Sequence, residues 1–114
     1  MIRFQIMERD EAHLYQTLVK AMREGELRTF HVEKRGRKVV HERYPGWITW
    51  SHSRGVIDGA AFSPKKEGNE WQIFSALVGR LADKYACSIA GISVQFPRVP
   101  ARAVRRRRRK RVGR

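Results

Sequence analysis

Between residues 27 and 62 the chain runs through four short stretches of alternating or β-rich residues, 27–33, 38–44, 47–51 and 56–62, with almost nothing between them. Arg35-Gly36, Pro45-Gly46 and Arg54-Gly55 fall at the three joints, and glycine takes the positive φ of a tight reversal at little cost. Three reversals in succession predict an antiparallel meander around which the rest of the chain must pack. Placing Arg35-Gly36 at the centre of the first turn sets Phe30 opposite His41, His31 opposite Val40, Val32 opposite Val39 and Glu33 opposite Lys38. The last is an opposite-charge pair, which favours this register over a slipped one.

The flanking segments supply two helices and two further strands. Residues 2–7 alternate, Ile2, Phe4 and Ile6 against Arg3, Gln5 and Met7, the period of a half-buried strand. Asp10 is then the expected cap of a helix carrying Leu14, Tyr15, Leu18, Val19 and Met22 at helical spacing and stopping at Gly25. Beyond the meander, a polar loop over residues 63–68 leads to a second helix opening at Asn69, with Gln72 completing a capping-box pattern. Its expected buried stripe is Trp71, Phe74, Leu77, Val78, Leu81 and Tyr85. Gly79, inside that helix, costs about 1 kcal/mol relative to Ala and is read as a point of close helix-on-sheet contact. Residues 89–96 alternate again until Pro97 ends the strand.

The fold class that follows is α+β: an antiparallel-rich sheet of about six strands, in the order β-α-β-β-β-β-α-β, with both helices on one face and the other face open. This order resembles the ferredoxin-like βαββαβ plan with an extra hairpin, residues 47–62, inserted before the second helix. The RNA recognition motif is built on that plan. Arg54-Gly55 followed by Phe62 is similar to the basic-glycine start and aromatic end of its longer signature, while Val56 and Asp58 stand where its stacking aromatics belong. The likeness is one of topology and lends no binding residues.

Charge is distributed unevenly. The chain has 25 basic and 11 acidic residues, and 10 of the basic ones lie in residues 98–114, where there is no acidic residue. Residues 1–97 are expected to form a single domain with one modest core, and residues 98–114 an arginine-rich tail that is disordered unless bound. The tail carries Arg98, Arg102, Arg105, Arg106, Arg107, Arg108, Arg109, Lys110, Arg111 and Arg114. Guanidinium is planar, permanently charged and forked to suit phosphate, so this density of arginine calls for a polyanion, nucleic acid first. Eight such side chains on duplex phosphates would give a log–log salt slope near about −7, strong but blind to sequence. Another anionic surface and a localisation signal are the alternative readings of the tail.

On the meander, basic and aromatic residues interleave: Arg28, Arg35, Arg37, Lys38, Arg43 and Arg54 lie among Phe30, Tyr44, Trp47 and Trp50. Such a surface holds phosphate while offering π-faces to unpaired bases. Tyr44 and Trp47 flank the projecting Pro45-Gly46 corner and are the aromatic candidates; Phe30, with Val32 and Val39, reads as helix-facing core, and Trp50 with Ile48 fits core as well as contact. The first expectation is therefore a small nucleic-acid-binding protein, with RNA or a single strand favoured over duplex DNA.

A catalytic alternative is a toxin-like, metal-independent ribonuclease in which His41 or His52 acts with Glu42 and with Arg43 or Arg54. His31 and His41 point to opposite faces in the register above and cannot bracket one phosphodiester, and His13 reads as a helix-surface residue. A third alternative is a subunit or inhibitor within a ribonucleoprotein complex, such as one belonging to a mobile element. Asp58, Glu67 and Glu70 are too loosely spaced to predict a metal site, no cofactor is implied, and neither a triphosphate-binding loop nor a Ser or Cys nucleophile pattern occurs. The single Cys87 excludes an intramolecular disulfide and is expected as a buried thiol in a reducing, cytoplasmic compartment. Neither a membrane span nor a secretory signal is expected, because no apolar run approaches about 18 residues.

Overall fold

The alternation at residues 2–7 becomes strand β1, Ile2–Glu8, with Ile2, Phe4 and Ile6 buried on one side and Arg3 exposed on the other. The rest follows in a computed structural model that describes residues 1–64 and 69–96. Helix α1 (Leu14–Arg23) precedes strands β2 (Phe30–Glu33), β3 (Lys38–His41), β4 (Trp47–Ser53) and β5 (Val56–Phe62), and helix α2 (Glu70–Lys84) precedes strand β6 (Ile89–Gln95). The six strands form one sheet in the order β2-β3-β4-β5-β1-β6, every neighbouring pair antiparallel. This is the α+β class and element order read from the sequence. The tail assigned to residues 98–114 lies outside the described residues.

Strand directions explain the helices. β5 and β6 flank β1 and both oppose it, so they run parallel to each other and α2 is the return crossing between them. α1 makes the longer return from β1 to β2 at the far edge. The strand beside β1 is β5 rather than β3, so the hairpin of residues 47–62 lies in the middle of the sheet and β2 and β3 form its outer part.

The register of the first hairpin is the expected one, Phe30↔His41 through Glu33↔Lys38, with Lys38 Nζ 3.8 Å from Glu33 Oε1. The turn is pinned from beneath, because the Gly36 carbonyl accepts hydrogen bonds from Trp50 Nε1 at 2.6 Å and Tyr15 Oη at 3.1 Å. Trp50 is thus core, 3% exposed, as are Phe30 and Ile48.

Both helices cover the face carrying Phe4, Phe30, Val39, Ile48, Trp50, Ile57 and Ala61, and supply Leu14, Leu18, Ile73, Phe74, Leu77 and Leu81 to it. At the centre Gly59 is paired with Phe4, and the Phe4 ring centroid is 4.9 Å from that of Phe74 on α2. A Cβ on Gly59 would collide with Phe4 Cζ and stand 2.9 Å from the Thr49 carbonyl oxygen. Gly59 is therefore what lets the Phe4 ring lie flat against the sheet, where Phe74 of α2 meets it. Gly79 does not mark a close helix-on-sheet contact, since a Cβ there would meet nothing within 4 Å.

Other local expectations are corrected. Asp10 does not cap α1: it sits at φ 50°, and the Leu14 N–H donates instead to Glu8 Oε2 at 2.9 Å. The helix does stop at Gly25, where the Glu26 N–H reaches the Ala21 carbonyl and the Gly25 N–H the Met22 carbonyl. The capping box at α2 does not form, because Asn69 is already helical at φ −70° and makes no side-chain cap bond. The α2 stripe is rotated from the expected one: Glu70 and Ile73 are buried while Trp71 is 47% exposed. Cys87 lies in a short turn after α2, Ala86–Ser88, and is exposed. Among the described residues, no helix is long and apolar enough to cross a membrane.

Gly59→Ala should destabilise the fold by about 1–3 kcal/mol through overpacking against Phe4. For a domain of this size each kcal/mol lowers Tm by about 4–8 °C, so thermal unfolding that leaves Tm unchanged would contradict the packing described.

Candidate functional site

With both helices on one face, the registers assign the other face to Arg3 and Gln5 of β1, Asp58, Ala60 and Phe62 of β5, Trp47, Thr49 and Ser51 of β4, and Lys38 of β3. A shallow groove of about 610 Å³ runs along it. Small side chains, Thr49 and Ala60, make its floor; Trp47 makes a wall, and Arg3, Lys34, Arg37 and Lys38 border it.

Trp47 is held in place by its neighbours on both sides. Its ring stacks on Phe62 at 5.6 Å and 17°, as the pairing Trp47↔Phe62 requires. Lys38 Nζ lies 5.5 Å from the centroid of the same ring, within cation–π range. The preceding Gly46 has φ 110°, and any Cβ there would collide with the Phe62 carbonyl oxygen. Only glycine lets the chain turn this close to β5, and that turn delivers Trp47 beside Phe62. Among the described residues Arg3, Lys34 and Arg37 have no ion-pair partner. The acidic Asp58 accepts a hydrogen bond from Gln5 Nε2 at 3.1 Å.

The residues picked from the sequence do not share this one surface. Arg37, Lys38 and Trp47 do; Arg35 is exposed in the adjoining turn at φ 59°. Arg43 and Tyr44 lie instead in a second groove on the helix side, with His41 and with Gly79, Arg80 and Asp83 of α2. Arg54 lines a third with Glu8, Glu11, His13 and His52. The tail residues from Arg98 to Arg114 lie outside the described residues. Arg3, Lys34 and Phe62 are not among the candidates picked from the sequence. The β1 alternation and the Arg54-Gly55 turn hold the signal for Arg3 and Phe62, since they set Arg3 opposite the core and Phe62 opposite Trp47.

The histidines are held differently. His31 Nε2 is 2.8 Å from Glu42 Oε1, so Glu42 serves His31 and not His41. His41 Nδ1 accepts the backbone N–H groups of Arg43 at 3.0 Å and Tyr44 at 3.2 Å, which leaves the ring proton on Nε2. Its ring stacks on Tyr44 at 4.7 Å and meets Phe30 edge-on. Burial lowers the His41 pKa; Glu42 opposes that, and Arg43, Arg80 and His31 reinforce it. His52 stacks on Tyr15 at 4.4 Å and 14°, with Gln16 Nε2 3.3 Å from its Nε2. Among the described residues no group of three or more His, Cys, Asp or Glu side chains is placed to hold a metal ion.

Compared with models of known protein families, with curated proteins and with solved structures, the chain matches none.

A His41 pKa below 6.5 in the fold means that the unfolded chain takes up this proton more readily. The stabilisation from His41 is therefore present in full above pH 6.5 and is lost as pH falls through the folded-state value. An NMR titration should place the His41 midpoint below 6.5; a midpoint at or above it would contradict the Nδ1 acceptor geometry.

Proposed function

We propose that this is a small nucleic-acid-binding protein that takes a single strand, RNA foremost, along the open face of its sheet. The observation that carries the reading is the placing of the Trp47–Phe62 stack beside Lys38, Arg3, Lys34 and Arg37 on one shallow groove, the last three without an ion-pair partner among the described residues. A flat aromatic wall suits any unpaired base, and cations along the border suit the phosphates that join them. The Lys38 ammonium occupies the ring face where a base would stack. A base that displaces it moves it toward the adjoining phosphate, exchanging a cation–π contact for an ion pair. The small side chains of Thr49 and Ala60 leave space on the groove beside Trp47 for a base. The ten basic residues of 98–114 add affinity without sequence preference.

Binding of a labelled single-stranded RNA, followed by anisotropy, tests both parts. Loss of one stack is worth about 1–3 kcal/mol, so Trp47→Ala should weaken binding by roughly 5- to 150-fold with an unchanged salt slope. Removing residues 98–114 should flatten the slope by about 0.7 for each phosphate that is no longer neutralised. Undiminished binding by Trp47→Ala would remove the open face from the account.

A second reading, a metal-independent ribonuclease, is favoured by the third groove, where His13 and His52 lie with Arg54. One imidazole would take the proton of a 2′-hydroxyl, the other would protonate the leaving 5′-oxygen, and the guanidinium would meet the charge between them. Under this reading RNA is cleaved in EDTA and cleavage is lost in His13→Ala and His52→Ala. An intact RNA after prolonged incubation excludes it.

A further inference from the structure

We propose that β6 and the adjoining flank of α2 form a homodimer interface, closed by a twofold axis that pairs β6 with the same strand of a second copy. This stands apart from the nucleic-acid reading and rests on the opposite end of the sheet from β2.

Among the described residues β6 is an outermost strand, paired only with β1. From Ala86 to Phe96 the sequence carries no charge, in a chain of which 32% is charged. Natural edge strands are usually guarded by lysine, proline, shortness or a bulge. Here there is one register shift, where Met7 pairs with Gly91 and Glu8 with Ile89, and the residues from Gly91 to Gln95 run on regularly. The other edge is guarded: β2 has four residues, and His31 and Glu33 are paired with Glu42 and Lys38.

The flank of α2 on the β6 side is equally bare. Trp71 and Phe96 are 47% and 65% exposed, with their ring centroids 5.7 Å apart. That contact turns the stripe Trp71, Ser75, Val78 and Ala82 toward β6, and it holds no charge. The charged positions Arg80 and Asp83 lie on the opposite flank, in the His41 groove. Ile89, Ile92 and Val94 are only partly buried against the core.

A second copy fits this surface better than the chain's own remaining segments. Residues 65–68 are Lys-Lys-Glu-Gly, and residues 97–114 hold ten basic side chains among eighteen, with only valine, alanine and proline as apolar ones besides Gly113, whereas a second copy brings the same uncharged strand and the two aromatics Trp71 and Phe96. With a net charge of +14, ten of it in residues 98–114, two copies repel each other, and the penalty is least where they meet on an uncharged face. An antiparallel strand pairs with itself isologously, so association stops at two. The product is one continuous sheet of twice six strands with two copies of the open face on the same side.

The test uses the full chain after nuclease treatment, in about 1 M salt where residual nucleic acid is released. Sedimentation equilibrium should give twice 13.3 kDa at micromolar to hundred-micromolar concentration. Ser93→Lys, which restores an edge guard, and Trp71→Ser combined with Phe96→Ser should each raise the dimer dissociation constant at least tenfold. All these positions are exposed, and circular dichroism checks that the fold is kept. As a measurement free of mutation, amide exchange of Gly91–Gln95 in the native chain should slow with rising protein concentration. A monomeric mass, a mass above twofold, a dimer that both variants leave intact, or exchange independent of concentration would each overturn the proposal.

Discussion

The sheet has one apolar face, and Phe4 lying on Gly59 beneath Phe74 shows how it is used. With no side chain at Gly59, the Phe4 ring takes that space and Phe74 of α2 packs on it. α1 completes the cover over β2 and the neighbouring strands, so among the described residues no element covers the other side. Lys38, Trp47, Thr49, Ala60 and Phe62 face water because the two helices are taken up by their neighbours one residue away. The open groove is a consequence of the packing on its reverse.

Much of this was legible because strand pairing is local. The three turns lie within residues 27–62, Arg35-Gly36 and Arg54-Gly55 stand at the centres of their hairpins while β3 and β4 pair about residues 43 and 44, ahead of Pro45-Gly46, and alternation then assigns the strand side chains to a face. The Glu33–Lys38 pair and the burial of Phe30 and Val39 follow directly. The same logic extends to Trp47 and Phe62 once the Arg54-Gly55 turn is taken as the centre of its hairpin.

What alternation does not reach is the contact between elements distant in sequence. The turn of α2 about its axis depends on where Phe4 and Gly59 sit, and so Trp71 emerges while Ile73 goes in. α1 begins later than Asp10 because Glu8, still on β1, is near enough to take the Leu14 N–H. Tyr44 and Trp47 flank one corner yet part to opposite faces, and His41 meets Arg80 only across the α2 groove. A linear reading merges these into one basic surface where the fold makes three.

The central claim is that nucleic acid lies on the uncovered face. The most direct measurement is amide and indole chemical-shift mapping during titration with a single-stranded RNA, in which the three tryptophans report from three places. The account predicts that the Trp47 indole and the amides of Arg3, Lys38, Thr49 and Ala60 shift, while the Trp50 indole, bonded to Gly36 in the core, does not. Shifts confined to α1, α2 and the His41 groove, with Trp47 silent, would contradict it.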